Sequence, residues 1–275
     1  MNNPIARWAR ILWRALRNFS IDHGANHAAA VAYFSLLSFP PLILFAGRLV
    51  AHLLSPETAG DQVIAAIAPF LPTEIASSLG DVTASLTMNG AVLVVALPAL
   101  FWVASHAFSA IEIAVNVAYG TTPQRRFILS RLKAFAGLFG GVVVLAGTAV
   151  ASHLALLASR YYELTGAPPL FSPRERLASG LGLLVVAFGV FTLFYKLLPR
   201  GKIAWGAAAR AGVVAVILWE GARQVFGGII RVSPAFGFFS GAVAGIVAVL
   251  AWIYVAVAVL IYGAEVAALL NGNRS

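Results

Sequence analysis

Two sets of polar side chains interrupt otherwise apolar sequence, and both recur at helical spacing. Ser105, Ser109, Glu112 and Asn116 fall at i, i+4, i+7 and i+11, which puts all four on one narrow stripe of a helix. Glu220, Arg223, Gln224, Gly227 and Arg231 form a second stripe. A charge at mid-bilayer costs about 2.5–3.5 kcal/mol on insertion scales, so an ionisable residue inside a spanning helix is a candidate for a substrate pathway. Glu112 lies toward the end of its run, where that cost falls. A bond across to another helix and a place on a pathway therefore both stand open for it. Glu220 and Arg223 are i,i+3 neighbours able to neutralise each other, either as a lock between helices or as a substrate-facing pair. Arg223 and Arg231 offer paired guanidinium donors that suit an anionic group such as a phosphate.

No catalytic constellation accompanies these stripes. The chain has no cysteine, which excludes disulfides, thiolate metal sites and cysteine nucleophiles. His23 and His27 are an i,i+4 pair beside Asp22, but no third or fourth ligand of suitable type lies near them, so no metal is expected. His106 and His153 are isolated and suit core or interface positions. No phosphate-binding loop of the Walker type is present, so no nucleotide or other cofactor is expected.

The elements that must position the stripes follow from composition. Of 275 residues 60% are hydrophobic and 11% charged, outside the usage of a soluble core and shell. Residues 232–264 hold no charge over 33 positions, more than the roughly 20 apolar residues that a helix needs to cross a bilayer core. Similar runs predict an all-α integral membrane protein forming a single membrane domain, 1–275. Its six spans are expected at 24–54, 88–118, 134–158, 177–198, 205–230 and 238–270. Pro40-Pro41 is expected to kink or break the first. Gly137 and Gly141, and likewise Gly237, Gly241 and Gly245, are spaced by four for close helix packing.

Residues 1–21 read as an interfacial amphipathic helix. Ile5, Trp8, Ile11, Leu12, Ala15, Leu16 and Phe19 occupy one arc; Arg7, Arg10, Arg14 and Arg17 occupy the other. The arginines mark the cytoplasmic side and suit anionic headgroups. Residues 55–87 carry Glu57, Asp61, Glu74 and Asp81 without a Lys or Arg, which predicts a periplasmic loop of short amphipathic helices. The basic positions 125, 126, 131, 133, 200 and 202 then fall inside, giving both termini a cytoplasmic location. The formal charge of +9 is thus mostly a topology signal, and no nucleic-acid partner is expected. Trp252, Tyr254 and Tyr262 are expected as interfacial anchors, and Glu265 as an interfacial carboxylate near the cytoplasmic end.

Four stretches in order resemble the YihY/BrkB family of bacterial inner-membrane proteins. They are the 28–40 run Ala-Ala-Ala-Val-Ala-Tyr-Phe-Ser-Leu-Leu-Ser-Phe-Pro, the 110–116 segment Ala-Ile-Glu-Ile-Ala-Val-Asn, Leu198-Pro199, and Tyr262-Gly263-Ala264-Glu265. The resemblance covers about residues 20–270 and implies a multi-pass protein of the inner membrane. Family members have carried a ribonuclease label from an early misassignment, and some have been linked to serum resistance or envelope lipid homeostasis. The family has no catalytic motif to place on numbered positions here.

The residues and the resemblance together favour a transporter or lipid-handling protein for an anionic or amphipathic envelope substrate. The alternative is a non-transporting scaffold or assembly factor that acts through its glycine-faced helices and outer loop. RNA hydrolysis needs positioned acids, bases or metals at a water-accessible surface, and the cytoplasmic loops supply none; the chain is not expected to be an enzyme. The expected partners are membrane lipids, with a second copy of the chain or an envelope protein as further candidates.

Overall fold

The computed structural model describes residues 4–53, 68, 71, 72, 75, 90–121, 173–232 and 242–274. All regular structure among them is helical. The predicted span 134–158, Gly137, Gly141, Gly237, Gly241, the basic positions 125–133 and nearly all of the 55–87 loop lie outside the described residues.

The helices are α1 (Pro4–Ile21), α2 (Gly24–Leu53), α3 (Gly90–Ala118), α4 (Pro173–Leu197), α5 (Trp205–Val232) and α6 (Ala242–Asn271). Among the described residues, three stretches are long and apolar enough to cross a membrane: Pro98–Ala118, Trp205–Val232 and Gly245–Asn271. Leu184–Leu197 is a shorter apolar helix. Gly245, one of the glycines predicted to serve close packing, opens the third stretch and is half-buried.

α6 packs against every other described helix. Its sequence explains this position, because a helix without a polar face can present any side to a neighbour. One apolar cluster joins α6 to α3, α4 and α5 through Val115, Tyr195, Trp219, Val249, Trp252 and Ala264. A second joins it to α2 and α3 through Ala28, Val31, Ala114, Val257 and Ile261. Trp252 is therefore a core residue packed against Phe226, not the interfacial anchor that its ring suggests in the sequence.

α2 continues through Pro40-Pro41 as one helix of 30 residues, where the sequence predicts a kink or break. α3 likewise runs through Pro98. Membrane helices tolerate proline because neighbouring groups re-satisfy the freed carbonyls.

α1 departs from a simple two-faced helix. Trp8, Ile11, Leu12 and Phe19 are half-buried and Ala15 is fully buried, and the Tyr262 hydroxyl donates to the Leu12 carbonyl at 3.0 Å. Ile5 and Leu16, which the sequence places on that same arc, point away from the bundle together with Trp13, at 77%, 48% and 69% exposure. Arg7, Arg10, Arg14 and Arg17 occupy a third, exposed sector. Such a helix has one side for the bundle, one apolar side for lipid and one charged side for water or headgroups.

Candidate functional site

α3 and α6 end in the same way, and their ends meet. Gly120 (φ 68°) and Gly272 (φ 77°) adopt the left-handed conformation that closes a helix with paired turn bonds. Gly120 N donates to the Val117 carbonyl and Thr121 N to the Asn116 carbonyl; Gly272 N donates to the Leu269 carbonyl and Asn273 N to the Ala268 carbonyl. The second turn aims Arg274 across the first, where its Nε would lie 3.4 Å from a Cβ at Gly120. Arg274 donates to the Val117 carbonyl, to Asp22 at the α1–α2 corner, and at 3.4 Å to Glu265 Oε2.

Glu265 is fully buried, and its Oε1 has no hydrogen-bond partner. The sequence reading makes it an interfacial carboxylate; within the protein it is enclosed where α6 meets the α1–α2 corner and Arg274. Tyr119 stands close by, its hydroxyl donating to the Tyr195 carbonyl at 3.2 Å. Burial, and secondarily Glu265, push the Tyr119 phenol above its ordinary range.

The first polar stripe divides by depth. Asn116 is a connector: its Nδ2 donates to the Glu112 carbonyl at 2.7 Å, while its Oδ1 accepts from the Thr121 hydroxyl at 3.0 Å and from Arg200 N at 3.1 Å. Glu112, 5% exposed, takes the Arg200 guanidinium at 3.0 Å. The pair ties α3 to the turn after α4. Ser109 and Ser105 spend their hydroxyls on the Ser105 and Trp102 carbonyls, the local bond that lets a hydroxyl sit in an apolar helix. His106 packs between Trp102 and Phe34, with ring centroids 4.8 and 5.4 Å away.

The second stripe is compact. Arg223 Nε and Nη2 donate to the two oxygens of Glu220 at 2.9 and 2.8 Å, and Gln224 Nε2 adds a third bond at 2.8 Å. About a quarter of each charged side chain stays exposed, 24% for Glu220 and 26% for Arg223, although the helix around them is apolar. Arg231 lies two turns further, in the last turn of α5, and is exposed. The two stripes do not meet in any described ion pair or hydrogen bond.

Side-chain bonds sew the α4–α5 turn to the same end of the bundle. Asn271 Oδ1 accepts from Ala204 N at 2.8 Å, and its Nδ2 donates to the Lys202 carbonyl. Lys196 donates to the Ile203 carbonyl and lies over the Trp205 ring at 5.1 Å. α4 reaches α6 at a glycine: Tyr195, fully buried, donates its hydroxyl to the Leu260 carbonyl at 3.1 Å across Gly263.

Asp22, Arg200, Arg274, Tyr119 and Tyr195 were not among the residues singled out in the sequence. Arg200 reads there as a topology signal, and the others carry no local spacing that links them. Yet three of the four stretches that carry the family resemblance converge here. Segment 110–116 supplies Glu112 and Asn116, Leu198-Pro199 delivers Arg200, and the 262–265 segment supplies Tyr262, Gly263 and Glu265.

Residues 15–275 match the family described as Virulence factor BrkB. The chain belongs to the BrkB family. The ribonuclease-like protein YfkH of Bacillus subtilis is 28% identical over 263 residues, covering 93% of each chain. A UPF0761 membrane protein of Rhodospirillum centenum is 27% identical over 272 residues, and one of Pseudomonas aeruginosa 26% over 283. The chain spans 58% and 64% of the length of those two relatives. No solved structure matches. Family and apolar helices together make this BrkB chain a membrane protein. The UPF0761 names carry no catalytic function.

Proposed function

We propose that this BrkB protein is a multi-pass protein of the bacterial inner membrane that binds and moves an anionic, amphipathic envelope molecule of the phospholipid class. The observation that carries the reading is the Glu220–Arg223–Gln224 group in the middle of α5, partly exposed on an apolar helix. Paired charges are tolerated there because each offsets the cost of the other. The bonds to Glu220 occupy Nε and Nη2 of Arg223, so Nη1 and the exposed edge suit a phosphate oxygen while acyl chains lie along the apolar surface beside it. Arg231 extends the cationic character toward the end of α5. The Asp22, Glu112, Arg200, Glu265 and Arg274 junction serves as a sealed cytoplasmic end, with access from the other side. α1 lies on the inner leaflet, its four arginines toward anionic headgroups.

The test is retention of phospholipid by purified protein. Anionic lipid should co-purify in preference to phosphatidylcholine, and Arg223→Gln should lose that preference while its fold persists. Equal retention of both lipids by the wild type contradicts the reading.

A second reading, a membrane scaffold, is favoured by the Glu112–Arg200 and Arg274–Asp22 pairs, which spend their charges on tying helix ends together. A stoichiometric envelope protein cross-linked to residues 55–87, together with no lipid preference, would select it.

A further inference from the structure

We propose that Glu265 and Asp22 form a proton-binding site at the α1–α2–α3–α6 junction, occupied by one proton at neutral pH and balanced by the single guanidinium of Arg274. This stands apart from the transport reading and does not rest on it.

Among the described residues, the charges around the buried Glu265 carboxyl do not balance. Glu265 is fully buried between the fully buried Ala264 and Val266, and Asp22 shares Arg274 Nη1 with it. The cation paired with both acids among the described residues is Arg274, whose Nη1 serves both and whose Nη2 is taken by the Val117 carbonyl. The remaining groups among the described residues that face Glu265 supply no further positive charge, and on the Asp22 side stands the His27 imidazole, itself crowded by His23. Asn18 from α1 is neutral, and Tyr119 at the end of α3 gives its hydroxyl proton to the Tyr195 carbonyl. Tyr195 from α4 gives its own to the Leu260 carbonyl, and Arg200 is committed to Glu112.

Two carboxylates against one guanidinium leave one uncompensated negative charge, and because Asp22 keeps 18% of its side chain in solvent while Glu265 keeps none, that charge is least favourable on Glu265. Glu265 Oε1, buried and without a donor, is where that imbalance appears in the geometry. A proton there converts two repelling acceptors into a donor–acceptor pair, as in other carboxyl dyads, and makes the site neutral. The site lies in the seam that joins the first helix corner to the last helix. Loss of the proton would leave Glu265 and Asp22 competing for Arg274 and loosen its hold on Val117.

The test is infrared spectroscopy of the full chain in nanodiscs. A protonated-carboxyl C=O stretch is expected in wild type at neutral pH, and its absence there overturns the proposal whatever the variants do. Glu265→Gln should remove the band. Asp22→Asn should remove it as well, because Arg274 then balances the one remaining carboxylate; Glu112→Gln should leave it in place. A band that persists in Asp22→Asn would show burial alone holding the proton and overturn the two-to-one charge argument. Loss of the wild-type band on adding sodium, with a rise in thermal stability, would assign the site to a metal cation and overturn the proton assignment.

Discussion

Gly263→Ala should damage this protein well beyond what a methyl group on a helix normally does. Helix propensity alone predicts a gain of about 0.5–1 kcal/mol from the substitution. The structure predicts the opposite sign. A Cβ at position 263 would overlap the Tyr195 hydroxyl outright, with Tyr195 Cζ at 2.7 Å and the Ala215 Cβ at 3.2 Å. Tyr195 is fully buried and cannot swing into solvent, so either α4 and α6 move apart or the hydroxyl leaves the Leu260 carbonyl. Overpacking costs about 1–3 kcal/mol, and a buried hydroxyl left without its partner costs about 1–3 kcal/mol. The expected loss is therefore about 2–5 kcal/mol. Tyr195→Phe alone should cost about 1 kcal/mol for the lost bond. In the double variant the overlapping oxygen is gone. The two losses should then fall short of additivity by about 1 kcal/mol or more. Equilibrium unfolding in mixed lipid–detergent micelles measures all three variants. A Gly263→Ala protein as stable as wild type, or strictly additive losses, would refute the close approach of α4 to α6.

Other variants test the remaining joints. Asn116→Ala removes the acceptor for Arg200 N and leaves the Thr121 hydroxyl only the carbonyl of residue 116, and should cost about 1–3 kcal/mol in the same unfolding assay, more than Ser109→Ala, whose hydroxyl bonds only within its own helix. Glu112→Ala should cost about 1–3 kcal/mol, and Arg200→Ala less, because Arg200 keeps 28% of its side chain in solvent while Glu112 keeps 6%. Replacing Arg7, Arg10, Arg14 and Arg17 together by Gln should lower protection of α1 from hydrogen exchange in anionic nanodiscs, by up to about 1 kcal/mol per arginine, and leave it unchanged in phosphatidylcholine. Equal effects in both lipids would remove the headgroup role.

The helical character of the chain was legible because charge-free runs longer than a bilayer is thick admit little else. Local pairing was legible too: Glu220 and Arg223 stand three residues apart, and their bond follows from helix geometry alone. What could not be read was pairing across the sequence. Glu112 meets Arg200 from 88 positions away, and Arg274 meets Asp22 from 252. Nothing in a basic residue after a span distinguishes a topology signal from an ion-pair partner. α1 shows a related limit. A periodicity count finds its apolar arc, but only the bundle decides that Ala15 turns inward while Ile5 and Trp13 turn out. The enclosure of Glu265 was not legible for the same reason, since its place near the end of α6 says nothing of Asp22 and Arg274 meeting it there.

The charged group in α5 carries the proposed function. The direct measurement is transfer of a fluorescent anionic phospholipid across the bilayer of proteoliposomes containing wild type, Glu220→Gln or Arg223→Gln protein. The proposed function predicts transfer above protein-free vesicles by wild type, reduced at least tenfold in Arg223→Gln and weakened in Glu220→Gln. Transfer no faster than in protein-free vesicles, or equal transfer by all three proteins, would contradict it.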